Sequence, residues 1–553
     1  MIKQNFIKLY EESFRRNWRR PAVTDYTTGK MQTYGDLAER IALTHLFFKE
    51  LGVKPGCKIA ISAKDSADWV VTYMAIITYG AVVVPILPDF NPVDITHIVN
   101  HSEAEIWFVS DQIWEHIDPE HLVGVKVVMS LCRQSESLFE RKNYNVAKII
   151  QRLHEDFHKK YRNGYSPEDV TYIDRNNSEL MEINYTSGTT GFSKGVMLTA
   201  NNLAGNVMFG IHEKIYTPTS CVLSFLPLAH AYGCAFDMLT PLAEGAHVVI
   251  LGKTPSPRVL LKAFAEIKPH LILCVPLVLE KIYKNNLRPI LEQGRVRRAL
   301  AIPLVRNLIY RKIRNRMVEL FGGRFLQIIV GGAPLNHEVE EFLYRIKFPF
   351  TVGYGMTECG PLISYSRWDK FVPGSSGRTL ATMESKIMSA DPENVPGEVC
   401  VRGENVMSGY YKNPEATSQV FDADGWLWTG DMGTRSADGT IFLRGRSKTM
   451  ILTASGQNIY PEEIETKLNS MNYVAESLVV ERKGKLVGLV YPDYAALDAD
   501  GIKMQDMDEA MKGVCAELNK LVAPYERISY IQLIPNEFEK TPKKSIKRFL
   551  YTQ

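Results

Sequence analysis

Residues 185–196 read Tyr-Thr-Ser-Gly-Thr-Thr-Gly-Phe-Ser-Lys-Gly-Val, a run of hydroxyls and glycines with a single lysine near its end. Gly188, Gly191 and Gly195 let the backbone turn tightly and bring N–H groups close to an anion, while Thr186, Ser187, Thr189 and Thr190 add donors and Lys194 adds charge. That is the chemistry of a loop that holds phosphate. It is not a Walker A loop, because two residues separate Gly191 from Lys194 and no Gly-Lys-Ser/Thr triplet follows. A solvated turn between two strands is the plain alternative, and a run of this length and composition argues against it. On either side, Leu180 to Tyr185 and Gly195 to Thr199 read as strands, with Asn201 as the cap of a helix through Gly210.

Working outward, further strings follow in order: Phe225 to Gly233 (FLPLAHAYG), Gly331 to Leu335 (GGAPL), Gly353 to Gly360 (GYGMTECG), Gly397 to Thr417 (GEVCVRGENVMSGYYKNPEAT), Trp428 to Asp431 (WTGD) and Arg444 to Glu465 (RGRSKTMILTASGQNIYPEEIE). Each alone has a bland reading: His230 as a satisfied core histidine, Glu358 as a surface carboxylate, Asp431 as a turn cap. Together and in this order the strings resemble the adenylate-forming superfamily of acyl-CoA synthetases, luciferases and peptide-synthetase adenylation domains. The resemblance runs from Thr33-Tyr34 to the lysine-rich C-terminus.

The resemblance implies an α/β fold with a large N-terminal adenylation domain, 1–446, of mixed and parallel sheets with flanking helices. A small mobile α+β lid, 447–553, would hinge near Lys448. It implies ATP, Mg²⁺ and CoA as reactants and cofactor. By position, the 186–194 run holds the β/γ-phosphates, Glu358 with Thr186 positions Mg²⁺, Gly332 and Ala333 form the adenine turn, Tyr354 flanks adenine beside Gly355 and Thr357, and Asp431 with Arg446 fixes ribose. His230 would gate the acyl site, and Gly456 would line a narrow pantetheine tunnel after lid rotation. No residue is expected to form a covalent intermediate. The family's lysine that bridges the carboxylate and α-phosphate meets Ser545 in strict alignment on Ile546; Lys544, one residue away on what reads as a flexible tail, is the candidate, with Lys543 behind it.

The acyl group is less determined. Counting back from Gly245, Tyr232 stands where amino-acid-activating relatives carry an Asp, which favours an uncharged, apolar-tailed acid. The FLPLAHAYG loop and a basic insertion resemble long-chain fatty acid–CoA ligases most closely, with medium-chain and aryl acids left open. An acyl-AMP or acyl-carrier-protein ligase, and a non-catalytic acyl- or nucleotide-binding sensor, stay open as alternatives.

The chain has 553 residues, 45% of them hydrophobic, enough for about three or four compact units. A net charge of +3 does not by itself imply nucleic-acid binding, and no basic stripe interleaved with aromatics appears. The eight cysteines are scattered without a Cys-x-x-Cys pair, which suggests neither zinc site nor disulfide framework and suits a reducing compartment. No apolar run reaches transmembrane length and the N-terminus lacks a signal peptide's apolar core, so a cytoplasmic protein is expected. Homodimer formation stays open.

Strand-like runs alternate with helices from Lys58 to Pro88, at Ile106 to Val109 and Val125 to Ser130, and from Cys221 to Leu251, predicting buried, largely parallel sheets. Residues 133–172 read as surface helices. In the C-terminal unit Lys448 to Thr453 reads as a strand, Pro461 as the first residue of a helix, Ser477 to Arg482, Leu486 to Tyr491 and Ile528 to Leu533 as strands, and Asp506 to Leu521 as a helix. From Lys284 to Arg324 eleven Lys and Arg residues face only Glu292 and Glu319, with Ile302, Leu304, Leu308 and Ile309 interleaved. Such a stretch either lies on an anionic membrane or is a solvated face packed on the enzyme body.

Overall fold

The computed structural model describes residues 2–133, 135–186, 193–452, 458–482, 484–541 and 545–552. Two large sheets form the N-terminal body. In the first, strands Leu180–Thr186, Val82–Pro85, Lys58–Ser62, Ile106–Val109 and Val127–Ser130 run parallel in that spatial order. Antiparallel strands Lys194–Thr199 and Gly409–Tyr410 extend one edge, and Ser137–Glu140 the other. In the second, Phe350–Val352, Gln327–Val330, Leu271–Cys274, Cys221–Ser224, His247–Ile250 and Pro21–Asp25 are parallel, with Met31–Thr33 antiparallel at the edge. Short apolar strands such as Ile106–Val109 and Val127–Ser130 are buried at every position, as strands covered on both faces must be.

Between Ser66 and Gly80 the chain follows the expected β-α-β path. The Ser66 hydroxyl caps the Trp69 amide of helix Ala67–Tyr79, and Gly80 ends it in the left-handed region (φ 93°). The cap of the helix after the phosphate run differs from expectation. Thr199, not Asn201, caps helix Ala200–His212, in a reciprocal box with Asn202. Asn201 instead sits in the first turn, where its amide reaches the Glu404 backbone and carboxylate. The described residues of 133–172 form strand Ser137–Glu140, the long helix Val146–Lys160 that buries Leu153 and Phe157, and a short 3-10 turn, Pro167–Asp169, rather than helices alone.

A fully antiparallel sheet of Met383–Met388, Gly397–Gly403, Leu427–Arg435 and Ile441–Arg446 follows, which the expectation of largely parallel sheets missed. Beyond it the core is separate. Ile459, Ile464, Leu468, Val474, Val490, Met511 and Leu518 pack helices Pro461–Asn469 and Met507–Leu521 on one face of a three-stranded sheet, and Leu478, Val480, Val487, Leu489 and Phe538 cover the other. Lys448 lies in a turn rather than a strand, and among the described residues of that segment Ile451–Leu452 pairs, with Asn458–Ile459. No helix among the described residues is long and apolar enough to cross a membrane.

Candidate active site

Thr186 and Lys194 face each other in the register of strands Leu180–Thr186 and Lys194–Thr199, consecutive in the chain and antiparallel, so the two strands make a β-hairpin. Ser187, Gly188, Thr189, Thr190 and Gly191 fall outside the described residues. At the hairpin's base the Lys194 ammonium stands 4.8 Å from the centre of the Tyr410 ring, and the Tyr410 hydroxyl donates to Glu358 Oε1 at 2.9 Å. Tyr410 is there because Gly409–Tyr410 pairs with Val196 and Met197, and the Tyr411 amide donates to the Gly195 carbonyl at 2.7 Å. Burial, and next the Glu358 charge, push the Tyr410 hydroxyl far up, so it stays protonated and a donor.

Glu358 and Tyr354 share one loop. Gly355 is required in it, since a Cβ there would lie 2.3 Å from the Pro361 carbonyl oxygen. Buried Asn206 props the loop, donating to the Cys359 carbonyl at 3.1 Å and accepting from the Leu362 amide at 2.8 Å. Thr357 is buried in the same turn. The Tyr354 hydroxyl donates to Asp431 Oδ2 at 2.7 Å, and Arg446 Nε reaches Asp431 Oδ1 at 3.0 Å from the neighbouring strand position. Burial raises the Asp431 pKa while Arg446 and the Tyr354 hydroxyl pull it down; Asp431 in turn holds Arg446 firmly charged. Glu358 adds to the field at Asp431, so the two carboxylates belong to one cluster.

His230 Nδ1 accepts from the Tyr232 amide at 3.2 Å, which caps the short turn leading into a π-helical stretch, Cys234–Leu239, and the carbonyl of neighbouring Ala229 accepts from Asn184 of strand Leu180–Thr186 at 3.2 Å. The loop carrying His230 is tied down by half-buried Asp65, whose Oδ1 accepts from the Leu228 amide at 3.0 Å. Tyr232 crosses to the second sheet, donating to the Ile329 carbonyl at 3.1 Å, and its ring lies 3.2 Å from where a Gly331 Cβ would stand. Gly332 takes a left-handed φ of 87°, and it and Ala333 are exposed.

Lys448 is exposed in the turn after Arg446, and the Ser447 amide donates to the Gly430 carbonyl at 2.8 Å. Gly456, Lys543 and Lys544 lie outside the described residues. The tail expected to be flexible is paired on both flanks. The Thr541 amide donates to the Ser545 carbonyl and the Lys547 amide to the Glu539 carbonyl, each at 2.8 Å, while Arg548 grips both oxygens of Glu465 at 2.7 Å. A slip by one residue would have to break these bonds.

Tyr410, Asn206 and Asp65 were not singled out by sequence. Tyr410 sits inside the quoted 397–417 string, and only the pairing with Val196 discloses its direction; the other two carry no local signal.

The chain matches the AMP-binding enzyme family over residues 10–411. It is 28% identical over 522 residues to long chain acyl-CoA synthetase 6, peroxisomal, of Arabidopsis thaliana, covering 89% of this chain and 71% of that protein. It is 27% identical over 574 residues to long-chain-fatty-acid–CoA ligase FadD15 of Mycobacterium bovis, covering 93% and 89%. Among solved structures, ATP-bound MatB from Rhodopseudomonas palustris aligns with a TM-score of 0.75 at 22% identity over 98% of both chains. The anthranilate CoA ligase AuaEII with anthranoyl-AMP aligns at 0.78 and 19% identity over 99% of this chain and 96% of that one. At these identities the structures share the fold. The family match spans most of the chain, from the first helix through the strand that carries Tyr410: this protein belongs to the AMP-binding enzyme family.

Proposed function

We propose that the protein is a long-chain fatty acid–CoA ligase working in two steps. In the first, a fatty carboxylate oxygen attacks the α-phosphorus of ATP and the bond to pyrophosphate breaks, giving acyl-AMP. In the second, the CoA thiolate attacks the acyl carbonyl carbon and the carbon–oxygen bond to AMP breaks, giving the thioester. The observation that carries this reading is the cluster of Lys194, Tyr410, Glu358, Tyr354, Asp431 and Arg446, drawn from four separated chain segments onto one hairpin base.

In this reading the hairpin and Lys194 hold the β/γ-phosphates, Tyr354 flanks adenine against the Gly332–Ala333 turn, and the Asp431 carboxylate accepts from the ribose hydroxyls with Arg446 fixing its orientation. Catalysis is then alignment of anions and neutralisation of their charge. Among the described residues no three His, Cys, Asp or Glu side chains converge. One carboxylate, Glu358, aided by the Thr186 hydroxyl, suits Mg²⁺, which keeps waters and takes its remaining oxygens from phosphate. Bound there, Mg²⁺ would neutralise phosphate charge as it develops. The unit after residue 446, with its own core, is proposed as the lid that turns about Lys448 between the two steps.

The fatty acyl preference is supported by the absence of a carboxylate at Tyr232 and by the names of the relatives. ATP–pyrophosphate exchange with a panel of carboxylic acids, repeated with CoA, tests it. Exchange that peaks with long-chain acids and acyl-CoA release that needs free CoA are expected. Exchange with amino or aryl acids alone, or transfer only to carrier-bound phosphopantetheine, would replace this reading with one of its alternatives. Binding of ATP and acyl chains without exchange would favour a sensor.

A further inference from the structure

The basic segment is the one sequence feature the proposed reaction leaves unused. The structure divides it into two parts. Its root faces inward: Lys284 Nζ donates to the Val474 carbonyl at 3.0 Å and stands 3.4 Å from the Asp493 carboxylate, and Arg288 donates to the Ser470 carbonyl at 2.8 Å. Beyond Glu292 the chain forms helices Gly294–Leu300 and Pro303–Leu320, and the second fully buries only Met317. Arg295, Arg297, Arg298, Arg306, Arg311 and Lys312 are exposed there, and none forms an ion pair among the described residues.

Apolar side chains stand out among these cations. Leu304 is 80% exposed, Leu308 66%, Ile302 54% and Ile290 49%. Leu304, Leu308 and Lys312 follow each other at intervals of four on one helix, so they share its outer face. The plain alternative, a charged face packed on the enzyme body, does not place leucines in water. Cations repel a second copy of the same face. A nucleic-acid backbone would meet the cations but gain nothing from the leucines, whereas a bilayer interface takes both: headgroup phosphates for the cations, the acyl boundary for the apolar tips.

We propose that the outer face of helices Gly294–Leu300 and Pro303–Leu320 is a docking surface for an anionic phospholipid bilayer. This stands independently of the reaction proposed above. Each cation near an anionic surface multiplies partitioning by about fivefold and loses that effect within a Debye length, so the contact should be steeply salt-dependent.

The test is co-sedimentation of the full chain with vesicles of phosphatidylcholine alone and with vesicles one-third phosphatidylglycerol, at low and high ionic strength. Binding to the anionic vesicles that high salt releases is expected. The double variant R311E/K312E, on the face that Leu304 and Leu308 share, should bind them more than tenfold less, and L304S/L308S should weaken binding while keeping its salt dependence. Circular dichroism should leave both variants unchanged, since every altered side chain is in water. Equal binding to both vesicle types, no binding at low salt, or an unaffected charge-reversal variant overturns the proposal. So does L304S/L308S binding like the parent, or displacement from vesicles by stoichiometric RNA or DNA, which would mark a nucleic-acid face.

Discussion

Asp65 should tie the stability of the N-terminal body to pH. The side chain is partly buried, its one described hydrogen-bond partner is the Leu228 amide, and desolvation raises its pKa from 3.8 to about 7. Between these values the folded protein keeps a proton that the unfolded chain has released. The stability held by the neutral form is therefore complete below about pH 4 and is lost as pH rises to about 7. A gap of about three pH units corresponds to roughly 4 kcal/mol. Asp65→Asn keeps an acceptor for Leu228 and cannot ionise. The amide's extra donor costs about 1–3 kcal/mol, but it does so at every pH and drops out when slopes are compared. Urea unfolding followed by tryptophan fluorescence suits the measurement, because Trp69 and Trp107 are fully buried in this body. Relative to the variant, the parent should lose a few kcal/mol between about pH 4 and about pH 8. Buried carboxyls such as Glu340 also titrate near 7 and slope both curves alike. Parallel curves over that range would refute the reasoning, showing Asp65 ionised in the folded protein.

Glu358→Gln should abolish ATP–pyrophosphate exchange with the fold intact by circular dichroism, since an amide lacks the charge that a nearby Mg²⁺ needs; wild-type exchange would remove Glu358 from the site. Tyr410→Phe keeps the ring beside Lys194 and deletes a hydrogen bond to a carboxylate worth about 1.5–3 kcal/mol, so exchange should fall at least about tenfold at saturating ATP. An unchanged rate would make Tyr410 a packing residue only. Lys544→Ala should lower adenylation severely, in the range of roughly 3 kcal/mol for a lost electrostatic partner, yet spare thioester formation from supplied acyl-adenylate. If neither it nor Lys543→Ala moves exchange, neither lysine serves the first step.

The strings legible in the sequence are those where chemistry and backbone need coincide locally. Gly355 is fixed by the Pro361 carbonyl 2.3 Å from its missing Cβ, and Tyr354 and Glu358 are carried into the cluster by that same loop. Parallel strands were legible because burial on both faces demands unbroken apolar runs such as Val127–Ser130. The antiparallel sheet was not: Met383–Met388 alternates buried with less buried residues, as a strand covered on one face does, so it lacks the unbroken apolar run by which the parallel strands were read. What sequence could not supply were directions set by distant pairing. Tyr410 points at Glu358 only because its strand pairs with Val196, more than two hundred residues back.

The basic segment illustrates the same limit from the other side. Its helices carry charge all round, so no periodicity separates Lys284 and Arg288, which grip carbonyls near the end of helix Pro461–Asn469, from Arg306 and Lys312, which face water. A cation at the carbonyl end of a helix is stabilised by that helix's dipole, and Arg288 on the Ser470 carbonyl takes this role. The inward pair therefore has a structural use that a membrane does not need to explain, and the lipid hypothesis must rest on the outward cations and the exposed leucines alone. That division is what makes the charge-reversal variant informative: it alters none of the residues that join the two parts of the chain.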